Sequence, residues 1–216
     1  MSVRQAGLPL LAKRPADLLA VAVLAGPALL ILGVLGLLVR VDSPGPAIFR
    51  QQRLGRDRRP FTCYKLRTMD HGAPDAPHRA FIAELMGPDA DTEPGADGLF
   101  KLAGDRRVTR LGRFLRTSSL DELPQLLNVL RGEMSLVGPR PVVAYEVEHY
   151  LPRDLERFNV LPGLTGLWQV SGRSRRSYRE MLDLDVDYAR RWSPALDVRV
   201  LLATVGTLLR SAGQAR

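Results

Sequence analysis

The sequence predicts a helix-rich α/β domain that is associated with a membrane. Three observations lead to this fold class: a long apolar segment near the N-terminus, a short alternating stretch typical of a strand, and apolar residues at helical spacing in several later segments. The 216-residue chain is long enough for one compact domain with its own core and a small addition. We therefore divide it into a membrane segment with its exit turn, residues 1–47, and a second domain, residues 48–216.

The apolar segment runs from Leu18 to Val39 and contains no charged or strongly polar residue. At about 1.5 Å per residue it reaches about 33 Å, enough to cross the hydrocarbon core of a bilayer. Gly26 and Pro27 lie near its middle, where the proline removes a backbone donor and predicts a kink. Basic residues flank both ends, and such flanks favour the cytoplasmic side. A full span and a re-entrant helix that breaks at Pro27 are both open at this point.

Short elements are predicted after the membrane segment. Residues 60–69 partly alternate in the manner of a strand, and residues 79–86 predict a short helix within a loop-rich stretch. The acidic run 183–187 lacks the glycine and glutamate of a calcium loop, so we interpret it as the solvated face of a helix. For the apolar helix predicted at 196–209, core packing and docking at the membrane interface are equally good interpretations.

Composition favours anionic partners. The formal net charge is +8, which suits nucleic acid, phosphorylated small molecules or anionic lipid. The basic cluster between Arg50 and Arg59 follows a membrane segment directly, so lipid headgroups explain it better than nucleic acid does. Cys63 is the only cysteine, which excludes an intramolecular disulfide, and the three histidines show no metal-ligand spacing.

Asp121 and Glu122 are the main candidates for chemistry. Ser119 and Glu122 fit a capping box ahead of leucines at helical spacing, so a structural helix cap is one interpretation. Pro124 weakens it, because proline biases the preceding residue away from helix. The other interpretation is a catalytic pair at a helix start, where free N–H groups attract phosphate. Carboxylates form covalent phosphoryl intermediates, and one or two of them commonly hold Mg²⁺.

Three blocks of sequence carry a family resemblance. They are KLRTM (65–69), SLDELPQLLNVLRGEMSLVGPRP (119–141) and PGLTGLWQVSGR (162–173). In this order they resemble the bacterial sugar transferases, the monotopic polyprenyl-phosphate hexose-1-phosphate transferases that are also called phosphoglycosyl transferases. The likeness extends from about Lys13 to the C-terminus. Larger members carry an additional N-terminal multi-span domain, so we expect this chain to correspond to the catalytic unit alone.

The resemblance implies a reaction. Members transfer a sugar-1-phosphate from a UDP-sugar to undecaprenyl phosphate and release UMP, with Mg²⁺ as cofactor. This is the first membrane step in the assembly of exopolysaccharide, capsule, O-antigen or glycoprotein glycans. By position, Asp121 matches the nucleophile that forms a covalent phosphosugar intermediate and Glu122 matches its partner. Both residues are expected Mg²⁺ ligands, and for Glu122 proton transfer is the open alternative.

The resemblance further implies a binding site and a location. Six residues match substrate- and phosphate-binding positions: Lys65, Arg67, Arg116, Arg140, Pro141 and Arg173. The membrane element of the family is a re-entrant helix-break-helix, with the break here at Pro27, accompanied by interfacial amphipathic helices. We therefore expect a monotopic protein of the bacterial inner membrane with its catalytic domain on the cytoplasmic face. The expected partners are the donor, the lipid acceptor and membrane lipids but no nucleic acid, and the sequence is compatible with an oligomer.

Two other functions fit parts of the sequence. A non-enzymatic, membrane-anchored module could recruit assembly proteins through its basic face, but it leaves the basic residues around Asp121 and Glu122 without a purpose. A membrane-bound nucleotide-sugar phosphohydrolase would use the same chemistry with water as the acceptor. Dependence of turnover on the lipid separates the hydrolase from the transferase.

Overall fold

The computed structural model describes residues 7–86, 104–172 and 177–214. In chain order its helices are α1 (Gly7–Asp42), α2 (Ala76–Leu85), α3 (Arg110–Ser118), α4 (Leu126–Arg131), α5 (Ala144–Val147), α6 (Leu167–Val170), α7 (Tyr178–Arg191) and α8 (Pro194–Gln214). Its strands are β1 (Ile48–Leu54), β2 (Pro60–Leu66), β3 (Ser135–Val137) and β4 (Gly163–Thr165). The described residues are thus helix-rich with small sheets, which confirms the predicted fold class at this level.

The apolar segment forms most of one long helix, α1. Its residues 13–42 are long and apolar enough to cross a membrane, and most of their side chains are exposed in the structure. Pro15 and Pro27 both lie inside this helix. The structure therefore gives α1 as a single helical element, and the break that the resemblance implies at Pro27 stays a prediction.

Both ends of α1 are attached to the second domain. Near its start, Asp17 Oδ1 accepts a hydrogen bond from the backbone N–H of Leu136 in β3 at 3.1 Å. Beyond its end, the carbonyl of Ser43 accepts a hydrogen bond from Arg67 at 2.7 Å. Two residues between these attachments belong to the main hydrophobic core: Val21 and Ala28. The two ends and the middle of α1 therefore all contact the same domain.

Strands β1 and β2 form an antiparallel hairpin, in which Ile48 lies opposite Leu66 and Leu54 lies opposite Pro60. The strand predicted within residues 60–69 is thereby confirmed. Successive residues of a strand point to opposite faces. Phe61 and Cys63 are buried on one face of β2 in the main core, and Leu66 is buried on the other face in a second cluster. Lys65 follows Cys63 on the first face and is only partly buried.

Strands β3 and β4 pair in parallel, with Val137 opposite Thr165. Just beyond β3, the chain passes very close to the segment that leads into β4. A Cβ atom on Gly138 would collide with the carbonyl oxygen of Leu161 and with the backbone nitrogen of Gly163. Only glycine permits this approach. The packing fixes the position from which the next loop, residues 139–141, begins.

The attachment of α1 to β3 yields a testable prediction. Replacing Asp17 with alanine leaves the buried N–H of Leu136 without its acceptor, which typically costs about 1–3 kcal/mol. We therefore expect Asp17→Ala to lower the thermal unfolding midpoint of the detergent-solubilised protein. Asp42→Ala is the matched control, because Asp42 lies at the other end of α1 and is exposed. Equal midpoints for the two variants would contradict the proposed role of this hydrogen bond.

Candidate active site

Asp121 and Glu122 lie in a short 3-10 helix, Leu120–Gln125, between α3 and α4. The preceding Ser119 adopts a left-handed conformation, with φ of 59°, and its side chain makes no capping hydrogen bond. The capping-box interpretation is therefore wrong. The two carboxylates precede the regular helix, as Pro124 indicated, because this turn contains Pro124 and α4 begins only at Leu126.

Lys65 of β2 reaches Glu122. The distance from Lys65 Nζ to Glu122 Oε1 is 2.7 Å, and both side chains are half-buried. Burial alone would raise the pKa of Glu122, but the combined attraction of Lys65, Arg140 and Arg53 outweighs it and holds the pKa below its usual range. Glu122 is therefore a carboxylate at neutral pH, next to the buried Asp121.

Arg116 of α3 is directed towards the residues that follow β2. Its Nε donates a hydrogen bond to Thr68 Oγ1 at 3.1 Å. Helix α3 lies this close because it carries Gly112, where a Cβ atom would collide with the carbonyl oxygen of Thr68. The structure thereby brings the KLRTM block and the helix that precedes Asp121 and Glu122 into contact.

The resemblance implies that Arg67 binds substrate or phosphate, but in the structure its guanidinium binds mainly backbone carbonyls. Its Nε donates to the Pro46 carbonyl at 2.8 Å, and Nη1 donates to Ser43 Oγ and the Pro44 carbonyl, each at 2.8 Å. Its Nη2 donates to the carbonyls of Ser43 at 2.7 Å and Val39 at 3.3 Å. These bonds use all five N–H groups of the guanidinium. Arg67 therefore satisfies the carbonyls at the end of α1 and in its exit turn, with no donor left for phosphate.

Arg140 and Pro141 lie on the loop that leaves β3. The carbonyl of Pro139 accepts a hydrogen bond from the Gly163 N–H at 2.8 Å, which fixes the start of this loop. Arg140 is half-buried, and its Nη1 lies 3.6 Å from Oε2 of the fully buried Glu146. Pro141 is buried and offers only its carbonyl as a polar group. The loop thus holds Arg140 in a defined orientation, with a carboxylate behind it.

A buried arginine, Arg157, supports this loop from the other side. Its Nη2 donates to the carbonyl of Arg140 at 2.8 Å and to Asp185 Oδ2 at 2.5 Å. The side chains of Arg157 and Asp185 are each about 1% exposed. The loop backbone is therefore bound to a buried ion pair that joins the 3-10 helix Pro152–Asn159 to α7.

Two tyrosines connect this ion pair to Glu146. Arg157 donates to the Tyr150 hydroxyl at 2.5 Å, and the hydroxyls of Tyr150 and Tyr178 are 3.2 Å apart. Tyr178 in turn donates to Glu146 Oε2 at 3.1 Å. Burial raises the pKa of Tyr150 to about 12, so its hydroxyl stays protonated at neutral pH. The backbone and the side chain of Arg140 are thus supported by one continuous network.

Sequence reasoning missed this network. The interpretation of residues 183–187 as a solvated face is wrong for Asp185, which is buried against Arg157. A signal was present in the spacing, because Asp185 lies three residues after Leu182 and three before Tyr188, both buried. An acidic residue on the apolar face of a helix indicates a buried partner. The predicted site residue Arg173 lies outside the described residues.

The donor set at Asp121 and Glu122 suits Mg²⁺. The ion is usually bound by one or two carboxylates together with substrate phosphates, and it does not require a complete cage of protein ligands. Within residues 7–86, 104–172 and 177–214, no group of three or more potential metal-binding side chains is present. Two adjacent carboxylates therefore fit an ion whose coordination the substrate completes.

A profile described as bacterial sugar transferase matches residues 8–211 of this chain. The chain belongs to the bacterial sugar transferase family. This match confirms the resemblance carried by the three sequence blocks. It covers α1 as well as the second domain, so the membrane segment is part of the family unit.

Several relatives of this sugar transferase are similar over most of its length. The UDP-galactose-lipid carrier transferase of Erwinia amylovora is 43% identical over 204 residues, which cover 93% of this chain and 41% of that protein. The UDP-glucose:undecaprenyl-phosphate glucose-1-phosphate transferase of Caulobacter vibrioides is 41% identical, covering 92% of this chain and 70% of that protein. For the exopolysaccharide production protein ExoY of Rhizobium meliloti the identity is 41%, and the coverages are 94% and 88%. The chain thus spans about two-fifths of the Erwinia relative and most of ExoY.

Asp185 should give the sugar transferase a pH-dependent step. Burial raises the pKa of Asp185 to about 6, although Arg157 and Arg140 attract its charged form. As the pH falls through this value, the carboxyl takes up a proton and Arg157 loses the charge opposite it. Because Arg157 holds the Arg140 carbonyl, we expect kcat/KM of the reaction proposed below to fall on the acid side of about pH 6.

The measurement is kcat/KM from about pH 5 to about pH 8 for the wild-type protein and two variants. We expect Asp185→Asn to lack the acid limb, since the substituted side chain does not titrate. Asp183→Asn is the control, because Asp183 lies on the same helix and is exposed. An acid limb that is unchanged in Asp185→Asn would show that another group controls it.

Proposed function

We propose that this protein transfers a sugar-1-phosphate from a UDP-sugar to undecaprenyl phosphate and releases UMP. The observation that carries the proposal is the buried Asp121 beside an ionised Glu122, which is paired with Lys65 and attracted by Arg140. The names of the relatives from Erwinia and Caulobacter support it, since both describe transfer from a UDP-sugar to a lipid carrier or to undecaprenyl phosphate. The step would begin exopolysaccharide, capsule, O-antigen or glycoprotein glycan assembly.

Asp121 is the nucleophile in this proposal. Its carboxylate oxygen forms a bond to the phosphorus that carries the sugar, while the bond from that phosphorus to the bridging oxygen of the UMP group breaks. UMP leaves with the electron pair of the broken bond. A phosphate oxygen of the lipid then attacks the same phosphorus and releases Asp121 as a carboxylate. The two displacements predict ping-pong kinetics.

The surrounding charges serve these steps. Lys65 keeps Glu122 ionised and in place, and the resemblance makes Arg116 and Arg140 the ligands of the donor phosphates. When bound by Asp121 and Glu122, Mg²⁺ would neutralise charge on the donor diphosphate as the leaving group departs. Positive groups held in a half-buried site act more strongly on a developing anion than they would in water.

We also propose that the protein lies on the cytoplasmic face of the inner membrane with α1 as a re-entrant element. Residues 13–42 would span about 45 Å as a straight helix, yet both ends are attached to the same domain. A bend at Pro27, which the resemblance implies, would let the exposed face of α1, with Leu19, Leu29 and Leu30, enter the bilayer while both ends stay on one face. The exposed side of α8 would lie at the interface through Val198, Leu201, Leu202 and Val205.

The central test is UMP release by the purified protein in detergent with Mg²⁺ and a panel of UDP-sugars. We expect release that requires undecaprenyl phosphate for continued turnover. Asp121→Asn should retain less than about 1% of the wild-type rate, because removing a nucleophile eliminates both displacements. Asp183→Asn, which removes an exposed carboxylate, should retain the rate.

The outcomes separate the competing functions. Release at the same rate without the lipid would indicate a phosphohydrolase. Full activity of Asp121→Asn would contradict the nucleophile assignment. If no donor in the panel supports release by the wild-type protein and glycan assembly in cells survives Asp121→Asn, a non-enzymatic module would replace the transferase.

A further inference from the structure

We propose that Arg53, near the end of β1, is a further positioning residue for phosphate binding. It holds the backbone of the Arg140–Pro141 loop, and it places a second positive charge next to Arg140 for a phosphoryl group bound there. The inference rests on the proposed function and deepens it. The sequence blocks that carry the family resemblance do not include Arg53.

The first observation is the contact that Arg53 makes. Its Nη1 donates a hydrogen bond to the carbonyl of Pro141 at 2.5 Å. Its Nε and Nη2 both donate to Gln51 Oε1, at 3.1 and 2.7 Å, so the side-chain amide orients the guanidinium plane. The next residue, Leu54, donates its backbone N–H to the Val142 carbonyl at 2.8 Å. Strand β1 therefore holds two successive carbonyls of the loop.

The second observation is that Arg53 is buried without a negative partner. It is 8% exposed, and its hydrogen bonds go to neutral oxygens. Among the residues that the structure describes, no carboxylate lies within ion-pair distance of it. Burial lowers the pKa of Arg53 most and the nearby Arg140 lowers it further, while Glu146 and Glu122, beyond ion-pair distance, act only in part against this. A buried charge is costly unless it is paired.

Arg157 provides a comparison within the same loop. It binds the carbonyl of Arg140, whereas Arg53 binds the carbonyl of the next residue, Pro141, and both arginines are buried. Arg157 has a carboxylate partner, Asp185, at 2.5 Å. The fold thus supplies a paired carboxylate for one of the two loop-holding arginines, whereas Arg53 has none within ion-pair distance. The unpaired charge of Arg53 points to a ligand that brings negative charge to the site.

A phosphoryl group fits this requirement. The guanidinium of Arg140 binds phosphate oxygens well by geometry, and a second cation close by strengthens the attraction in a medium of low dielectric constant. The phosphoryl group could belong to the UDP-sugar or to the lipid acceptor. A lipid headgroup at the surface does not fit, because Arg53 is buried whereas other members of the basic cluster, Arg50, Arg56, Arg58 and Arg59, are exposed.

The test compares Arg53→Gln and Arg53→Lys with the wild-type protein, all as the full chain in detergent. Arg190→Gln is the control that removes an equal charge, because Arg190 is exposed and pairs with the exposed Glu156. The first readout is the KM for UDP-glucose or UDP-galactose, the KM for undecaprenyl phosphate, and kcat. The second is the dissociation constant of the same UDP-sugars, measured by calorimetry in an Asp121→Asn background without turnover.

We expect Arg53→Gln to raise the KM and the dissociation constant of the donor by about tenfold, as for the loss of a charge-assisted interaction. Arg53→Lys should restore part of the affinity because it keeps the charge, while kcat changes less than KM. An increase confined to the KM for undecaprenyl phosphate would support the proposal with the lipid phosphate as the ligand. The control should leave all these constants unchanged.

Two results would overturn the inference. Unchanged constants for both substrates in Arg53→Gln would show that its charge is not used. A merely structural role would lower kcat alone, and by the same factor in Arg53→Lys and Arg53→Gln. The thermal unfolding midpoint would fall together with kcat in both variants. Because donor binding is measured in the Asp121→Asn background without turnover, a failure of the proposed transferase reaction is detected separately from a failure of this inference.

Discussion

The site depends on how the backbone of the loop after β3 is held. The carbonyls of Arg140, Pro141 and Val142 are each bound by a different group, namely Arg157, Arg53 and the N–H of Leu54. The close approach at Gly138 fixes where the loop begins. Because these contacts come from β1, the 3-10 helix Pro152–Asn159 and the approach to β4, the loop is stable only once distant parts of the chain have come together. Its arginine is thereby oriented before any substrate arrives, which reduces the ordering that binding requires.

The apolar helix α1 is attached to the elements that also hold the predicted site residues. Asp17 of α1 binds the backbone of Leu136 in β3, one residue before the strand ends and the loop that carries Arg140 follows. At the other end of α1, Arg67 binds the exit turn and lies two residues after Lys65, which pairs with Glu122. Both attachments of α1 therefore lie within a few residues of predicted site residues. Packing of α1 and assembly of the site are physically connected for this reason.

The sequence predicted several elements of the fold, and the interpretations that failed did so for physical reasons. The apolar run, the strand that carries Lys65 and the C-terminal helix follow from local periodicity, and the structure confirms them. The capping box failed because Ser119 ends α3 in a left-handed conformation and its side chain caps nothing. Nothing in the sequence around Arg67 and Arg53 shows whether these arginines bind backbone carbonyls or phosphate. The carbonyls that they bind lie far away in sequence. Asp185 was misread because charge alone was weighed and its position on a buried helix face was not.

The central claim is that Asp121 carries the sugar phosphate between donor and acceptor. The most direct measurement is intact-protein mass spectrometry after the protein is mixed with its UDP-sugar and Mg²⁺ without lipid and quenched in acid. The account predicts a mass gain of one sugar phosphate, located in the peptide between Arg116 and Arg131 and lost when undecaprenyl phosphate is added. Lipid-dependent UMP release with no such adduct, or an adduct that persists in Asp121→Asn, would contradict it.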